Sequence, residues 1–137
     1  MEFHQKIFDQ CSYFMRPILE YACPVWHSSL TCKLKEQVED IQRRALRVIH
    51  PQSSYKEALV ELNLPTLYDR RELLCQTFYR NALHSNSRLY SLLPESSMNK
   101  HSYDLRNPRT LPLYKCRTNR FQNSFLPYCV RKWDRIS

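Results

Sequence analysis

Glycine is absent from the 137 residues, where average usage near 7% would supply roughly ten. That absence excludes whole classes of chemistry. A Gly-rich phosphate loop, a dinucleotide fingerprint and a nucleophile elbow all need glycine for close backbone approach or positive φ. Long apolar runs are missing too, so no segment reads as a membrane span. The chain opens MEFHQKIFDQ, with no apolar signal segment, and no Asn-x-Ser/Thr acceptor occurs anywhere. Six cysteines (11, 23, 32, 75, 116, 129) never stand two to four residues apart, and the five histidines never pair at ligand spacing. Cys23 and His27 share one helical spacing, but no second pair accompanies them. The favoured reading is buried reduced thiols, which places the chain inside the cell, in nucleus or cytoplasm. There is no Asp-Asp pair, no carboxylate cluster suited to a metal and no Ser/His/Asp set with a glycine turn. The chain therefore reads as non-catalytic by itself, with no cofactor and no metal.

What is present is cationic charge, unevenly placed. Lys and Arg total 21 against 13 Asp and Glu, a formal charge of +8. Residues 1–99 carry 12 bases and 11 acids, whereas residues 100–137 carry 9 bases and 2 acids, net +7. The polar patch Glu95-Ser-Ser-Met-Asn-Lys-His-Ser102 is the candidate boundary between them. The expected organisation is a helical domain over 1–94 and a basic segment over 95–137.

The first part reads as a small bundle of about four helices, mainly α. Phe3, Ile7, Cys11, Phe14, Ile18 and Tyr21 recur at helical steps, with Phe8, Met15, Leu19, Ala22 and Trp26 beside them. This helix is apolar around much of its girth. Pro17 predicts a kink or a restart, and Pro24 an end. Thr31 can cap a second helix running to about Ile49, with Leu34, Val38, Ile41, Ala45 and Val48 as its stripe. Glu39→Arg43 and Asp40→Arg44 then lie on its solvated face, and Pro51 stops it. Ser54-Tyr-Lys-Glu57 is a capping box for a short helix to Leu62, with Asn63 placed for a left-handed exit. A fourth helix starts at Thr66 and runs to about His84, with Leu67, Leu74, Phe78 and Ala82 as its stripe. Ser87 to Leu93 adds a turn before Pro94.

The basic part differs. Leu111-Pro-Leu-Tyr-Lys-Cys-Arg-Thr118 alternates, which suits an extended segment or an edge strand. After Ser124 comes one short helix with Pro127 in its first turn and Leu126, Cys129, Val130 and Trp133 on its apolar face. Arg106, Arg109, Lys115, Arg117, Arg120, Arg131 and Lys132 interleave with Tyr103, Tyr114, Phe121 and Tyr128. Cations neutralise phosphate and aromatic faces stack on bases, so this combination points to RNA or DNA backbone, with Tyr114 and Phe121 as stacking candidates. Arg70 and Arg71 are a second cationic pair. Arg71 falls within the stripe of its helix, where it either bridges to a carboxylate such as Glu20 or to helix-end carbonyls, or contacts phosphate.

Several stretches in order carry a resemblance. Arg16-Pro-Ile-Leu-Glu-Tyr-Ala-Cys-Pro-Val-Trp26, Val38-Glu-Asp-Ile-Gln-Arg-Arg-Ala-Leu-Arg47, Leu64-Pro-Thr-Leu-Tyr-Asp-Arg-Arg71 and Arg117-Thr…Asn123-Ser-Phe-Leu-Pro-Tyr…Trp133 together cover most of 13–133. They resemble the C-terminal, post-palm region of the reverse transcriptases of non-LTR (LINE-type, jockey-like) retrotransposons. In that family the last tryptophan is normally followed by Asn, and here by Asp134. The resemblance implies a thumb-side fragment of an RNA-directed DNA polymerase that grips the template–primer backbone without regard to sequence. The endonuclease, and the palm with its aromatic-x-Asp-Asp metal site, lie outside these residues. A helical protein-interaction module, host-adopted or orphaned from its polymerase and prone to self-association, is the alternative.

Overall fold

The computed structural model describes residues 6, 13–95 and 110–134. Among them every regular element is helical. The order is α1 (its described part 13–20), α2 (Cys23–Trp26), a 3-10 turn (His27–Ser29), α3 (Cys32–Ile49), α4 (Tyr55–Glu61), α5 (Leu67–Ala82), a 3-10 turn (Tyr90–Leu92), α6 (Asn119–Gln122) and α7 (Phe125–Trp133). No described helix is long and apolar enough to cross a membrane. The contacts divide the chain into two units, 1–23 with 30–73, and 24–29 with 74–137. The division runs through α5, and of the expected boundary patch only Glu95 is described.

In the first unit the local signals place the helix ends. The Thr31 hydroxyl accepts from the Leu34 N–H at 3.4 Å, opening α3. At Ser54 the capping box closes both ways, with the Ser54 N–H donating to Glu57 at 2.8 Å and the Glu57 N–H donating to the Ser54 hydroxyl. The Glu57 carboxyl is consequently held below its ordinary range, chiefly by the Ser54 backbone hydrogen bond. Asn63, at φ 49°, takes the left-handed exit after α4. Thr66 accepts from the Asp69 N–H at 3.0 Å and donates to its carboxylate at 2.7 Å, opening α5.

Three expectations are corrected here. Pro17 lies inside the helical stretch 13–20, so the helix does not restart there, and a break falls at Tyr21-Ala22, where Ala22 has φ 49°. Pro24 sits in the first turn of α2, where a missing N–H costs no helical bond, rather than ending a helix. The buried face of α3 is Gln42, Leu46 and Ile49, not the apolar series, of which Leu34, Ile41 and Val48 are exposed. Gln42 can be buried because its amide donates to the Tyr55 hydroxyl at 3.3 Å and to the Pro65 carbonyl at 3.5 Å. The core of this unit is Leu46, Ile49, Ala58 and Leu59, with Tyr55, Leu62 and Leu64 packed against it.

Glu39 also departs from its expected solvated place. It accepts from the Leu67 and Tyr68 N–H groups at 3.1 and 3.2 Å and from the Tyr55 hydroxyl. A carboxylate at the first N–H groups of a helix satisfies orphan donors and meets the positive end of the dipole. Burial, then the Glu39 bond, raises the Tyr55 phenol well above its usual value. Arg43 pairs with Asp40 and lies over the Tyr55 ring, 5.2 Å from its centroid.

The second unit packs around Tyr79, Leu111, Cys129 and Val130. The buried face of α5 falls at Leu67, Arg71, Cys75, Tyr79 and Ala82, so the expected Leu74 and Phe78 lie at its margin. Phe78 meets Phe125 edge-on at 5.5 Å. The hydroxyls of Ser28 and Ser29 donate to the Asn123 carbonyl at 2.6 and 3.2 Å, tying the first 3-10 turn to the α6–α7 loop. Of the five described cysteines, Cys23, Cys75 and Cys129 are buried.

Candidate nucleic-acid interface

The candidate interface lies within residues 110–134. The alternating segment 111–117 takes no regular structure, and no strand occurs among the described residues, so the edge-strand expectation does not hold. From residue 112 on, exposure still alternates. Leu113, Lys115 and Arg117 are exposed, while Pro112, Tyr114 and Cys116 are half-buried. Leu111 anchors the start, buried in the core, and its N–H donates to Asp134 Oδ2 at 2.8 Å. Asp134 is itself buried, and with burial as the larger cause it pushes the Tyr79 phenol far above its ordinary value. This acid is thus committed inward and leaves the surface cations unneutralised.

Thr118 follows this segment and caps α6 by accepting from the Phe121 N–H at 3.2 Å. Sequence patterning missed this helix because its four residues, Asn119-Arg-Phe-Gln122, contain no apolar stripe. Its turn presents Arg120 and Phe121 outward, Phe121 being 45% exposed. Tyr114 meets Phe121 edge-on, with centroids 6.1 Å apart at 85°. Tyr114 packs against the core, and burial raises its phenol, so it supports Phe121 more than it offers a face of its own.

On α7 the expected apolar face is observed, with Cys129 and Val130 buried and Leu126 and Trp133 packed beside them. Pro127 sits in the first turn. Arg131 and Lys132 are exposed in the last turn, where cations suit the negative end of the helix. The Lys132 ammonium donates to the Tyr128 hydroxyl at 2.9 Å and lies over the Tyr128 and Trp133 rings at 5.2 and 5.6 Å. Lys115, Arg117, Arg120 and Arg131 form no ion pair among the described residues.

The remaining expected contacts divide. Arg106 and Arg109 (and Tyr103) lie outside the described residues. Arg70 is half-buried and ion-paired with Glu20. Arg71 is 0% exposed, and its carbonyl accepts from the Cys23 thiol at 3.9 Å. It has no surface to offer a phosphate. Among the described residues no group of His, Cys, Asp and Glu is placed to hold a metal ion. Comparison with protein-family models, with curated proteins and with solved structures finds no match to this chain.

Proposed function

We propose that this chain is the post-palm, thumb-side part of a non-LTR retrotransposon reverse transcriptase, non-catalytic by itself, which contacts the template–primer backbone through its basic end. The observation that carries the contact is the run of exposed cations Lys115, Arg117, Arg120 and Arg131 beside the half-exposed Phe121, with the nearby acid Asp134 buried. Unneutralised cations release counterions from phosphate, and one aromatic face can stack on a base. Such contacts carry no base readout, so the ligand is RNA or DNA of any sequence. The family part of the reading rests on the four ordered stretches between Arg16 and Trp133. Sequencing the transcript upstream of Met1 tests that part. A frame continuing into an aromatic-x-Asp-Asp palm supports it, and a promoter with an authentic start directly before Met1 opposes it.

A helical interaction module is favoured by a different observation. Phe14 and Ile18 share one face of the first helix and, with Tyr21 just past its end, are strongly exposed, Ile18 at 76%. On α3, Leu34, Ile41 and Val48 are exposed as well, Val48 at 83%. Apolar faces of this kind mark protein contacts. Sedimentation velocity across a concentration series should then show self-association, whereas a monodisperse monomer removes this reading.

A further inference from the structure

Within the first unit a cavity of about 100 Å³ lies between the last turns of α3, the 51–54 connection and the start of α4. Its floor is apolar, formed by the buried Leu46 and Ala58. Its polar lining is cationic and hydroxylic: Arg43, Arg47, Ser53, Ser54 and the Tyr55 phenol, with no carboxylate. Arg43 and Arg47 stand one helical turn apart, where like charges oppose one another. Arg43 has Asp40 as partner, whereas Arg47 has no ion pair among the described residues.

The serines add donors. The Ser54 hydroxyl accepts from the Glu57 N–H, which leaves its own proton to donate. The Ser54 N–H is already taken by Glu57, so the helix end contributes nothing. The Ser53 hydroxyl reaches Glu61 only at 3.5 Å, the outer limit of a hydrogen bond, and is free to rotate. Small-molecule sites begin at roughly 300 Å³, so this volume excludes a nucleoside or a metabolite of that size. A single tetrahedral oxyanion fits it, and guanidinium forks match phosphate oxygens bidentately.

We propose that this cavity is a phosphate site, in which Arg47 and Arg43 hold one phosphate group and the hydroxyls of Ser53 and Ser54 complete its shell. The site does not rest on the reading of the basic end. Its phosphate comes either from the free ion or from the end of a nucleic-acid strand.

The test is titration of the full 15N-labelled chain with inorganic phosphate at low ionic strength, followed at amide and arginine Nε–H signals. Saturable shifts are expected at Ser53, Ser54 and Arg47. Arg47→Ala should weaken phosphate about tenfold or more. Arg44→Ala, which removes an exposed cation of the same helix outside the cavity, should change affinity by less than about twofold. Arg47→Gln keeps the length of the side chain and should lose binding as Arg47→Ala does. Equal losses in the Arg44 and Arg47 variants, or shifts that never saturate, overturn the site as general charge attraction. Oligonucleotides with a 5′-phosphate or a 5′-hydroxyl, bound to the Arg117→Ala/Arg120→Ala chain, separate the sources. A 5′-phosphate advantage that Arg47→Ala abolishes assigns the strand end. No such advantage, with inorganic phosphate still lost in Arg47→Ala, assigns the free ion, and both results support the site.

Discussion

Asp134 is an acid in a cationic segment that does nothing to neutralise it. Its carboxylate is buried and accepts from the Leu111 N–H at 2.8 Å, so it fixes the start of the 111–117 segment. Asp134→Ala leaves that donor buried without an acceptor, which costs about 1–3 kcal/mol. Urea denaturation should show a loss of this size, and the Leu111 amide should exchange faster. Asp134→Asn keeps an acceptor and should lose less. Glu57 gives a pH-dependent counterpart. Its folded pKa is depressed, so its contribution is present above the unfolded value near about 4.3 and is lost as pH falls through the lower folded value. Thermal melts of the parent and Glu57→Gln should therefore differ at pH 7 and converge under acid conditions. Arg70 and Arg71 show what single residues conceal. Their sequence allows either one to meet Glu20, and only the helix phase sends Arg70 to the carboxylate and Arg71 to the interior.

At the scale of elements, most of what depends on adjacent residues was legible. Thr31, Ser54, Asn63, Thr66 and Pro127 each act within one turn, and each stands where its chemistry places it. What depends on distant partners was not legible. The apolar series on α3 at 34, 38, 41, 45 and 48 is a good helical pattern, yet the core selects the adjacent face. Gln42 finds hydrogen bonds there to Tyr55 and Pro65 that no local pattern announces. Glu39 is the sharper case, since its partners at Leu67 and Tyr68 are nearly thirty residues away. Glu39→Ala should destabilise the first unit by about 1–3 kcal/mol, through the lost helix cap and the buried phenol left without its acceptor. Tyr55→Phe should cost less, because the α5 N–H groups keep their carboxylate. A double-mutant cycle would show coupling between the two, and strict additivity in chemical denaturation would disconnect Glu39 from the phenol.

For the molecule as a whole, the charge asymmetry was the most informative feature of the sequence, and its exposed members among the described residues are Lys115, Arg117, Arg120, Arg131 and Lys132. Over 112–117 exposure alternates with the sequence, although no strand forms and Leu111, in phase with the exposed positions, is buried. Lys132 and Tyr114 are more engaged than composition suggests, one over aromatic rings and the other against the core. The exposed apolar faces of α1 and α3 belong to the same scale and bear on self-association. Backbone binding is the central claim, and its salt dependence measures it. Fluorescence anisotropy should be titrated against labelled duplex and single strands from low to physiological salt. Affinity should fall steeply and log-linearly with salt, with little dependence on sequence. Arg117→Ala/Arg120→Ala should flatten the slope by about 1.4–1.8, from roughly 0.7–0.9 for each lost phosphate contact. No binding at low salt, or a slope that the double variant leaves unchanged, would contradict the account.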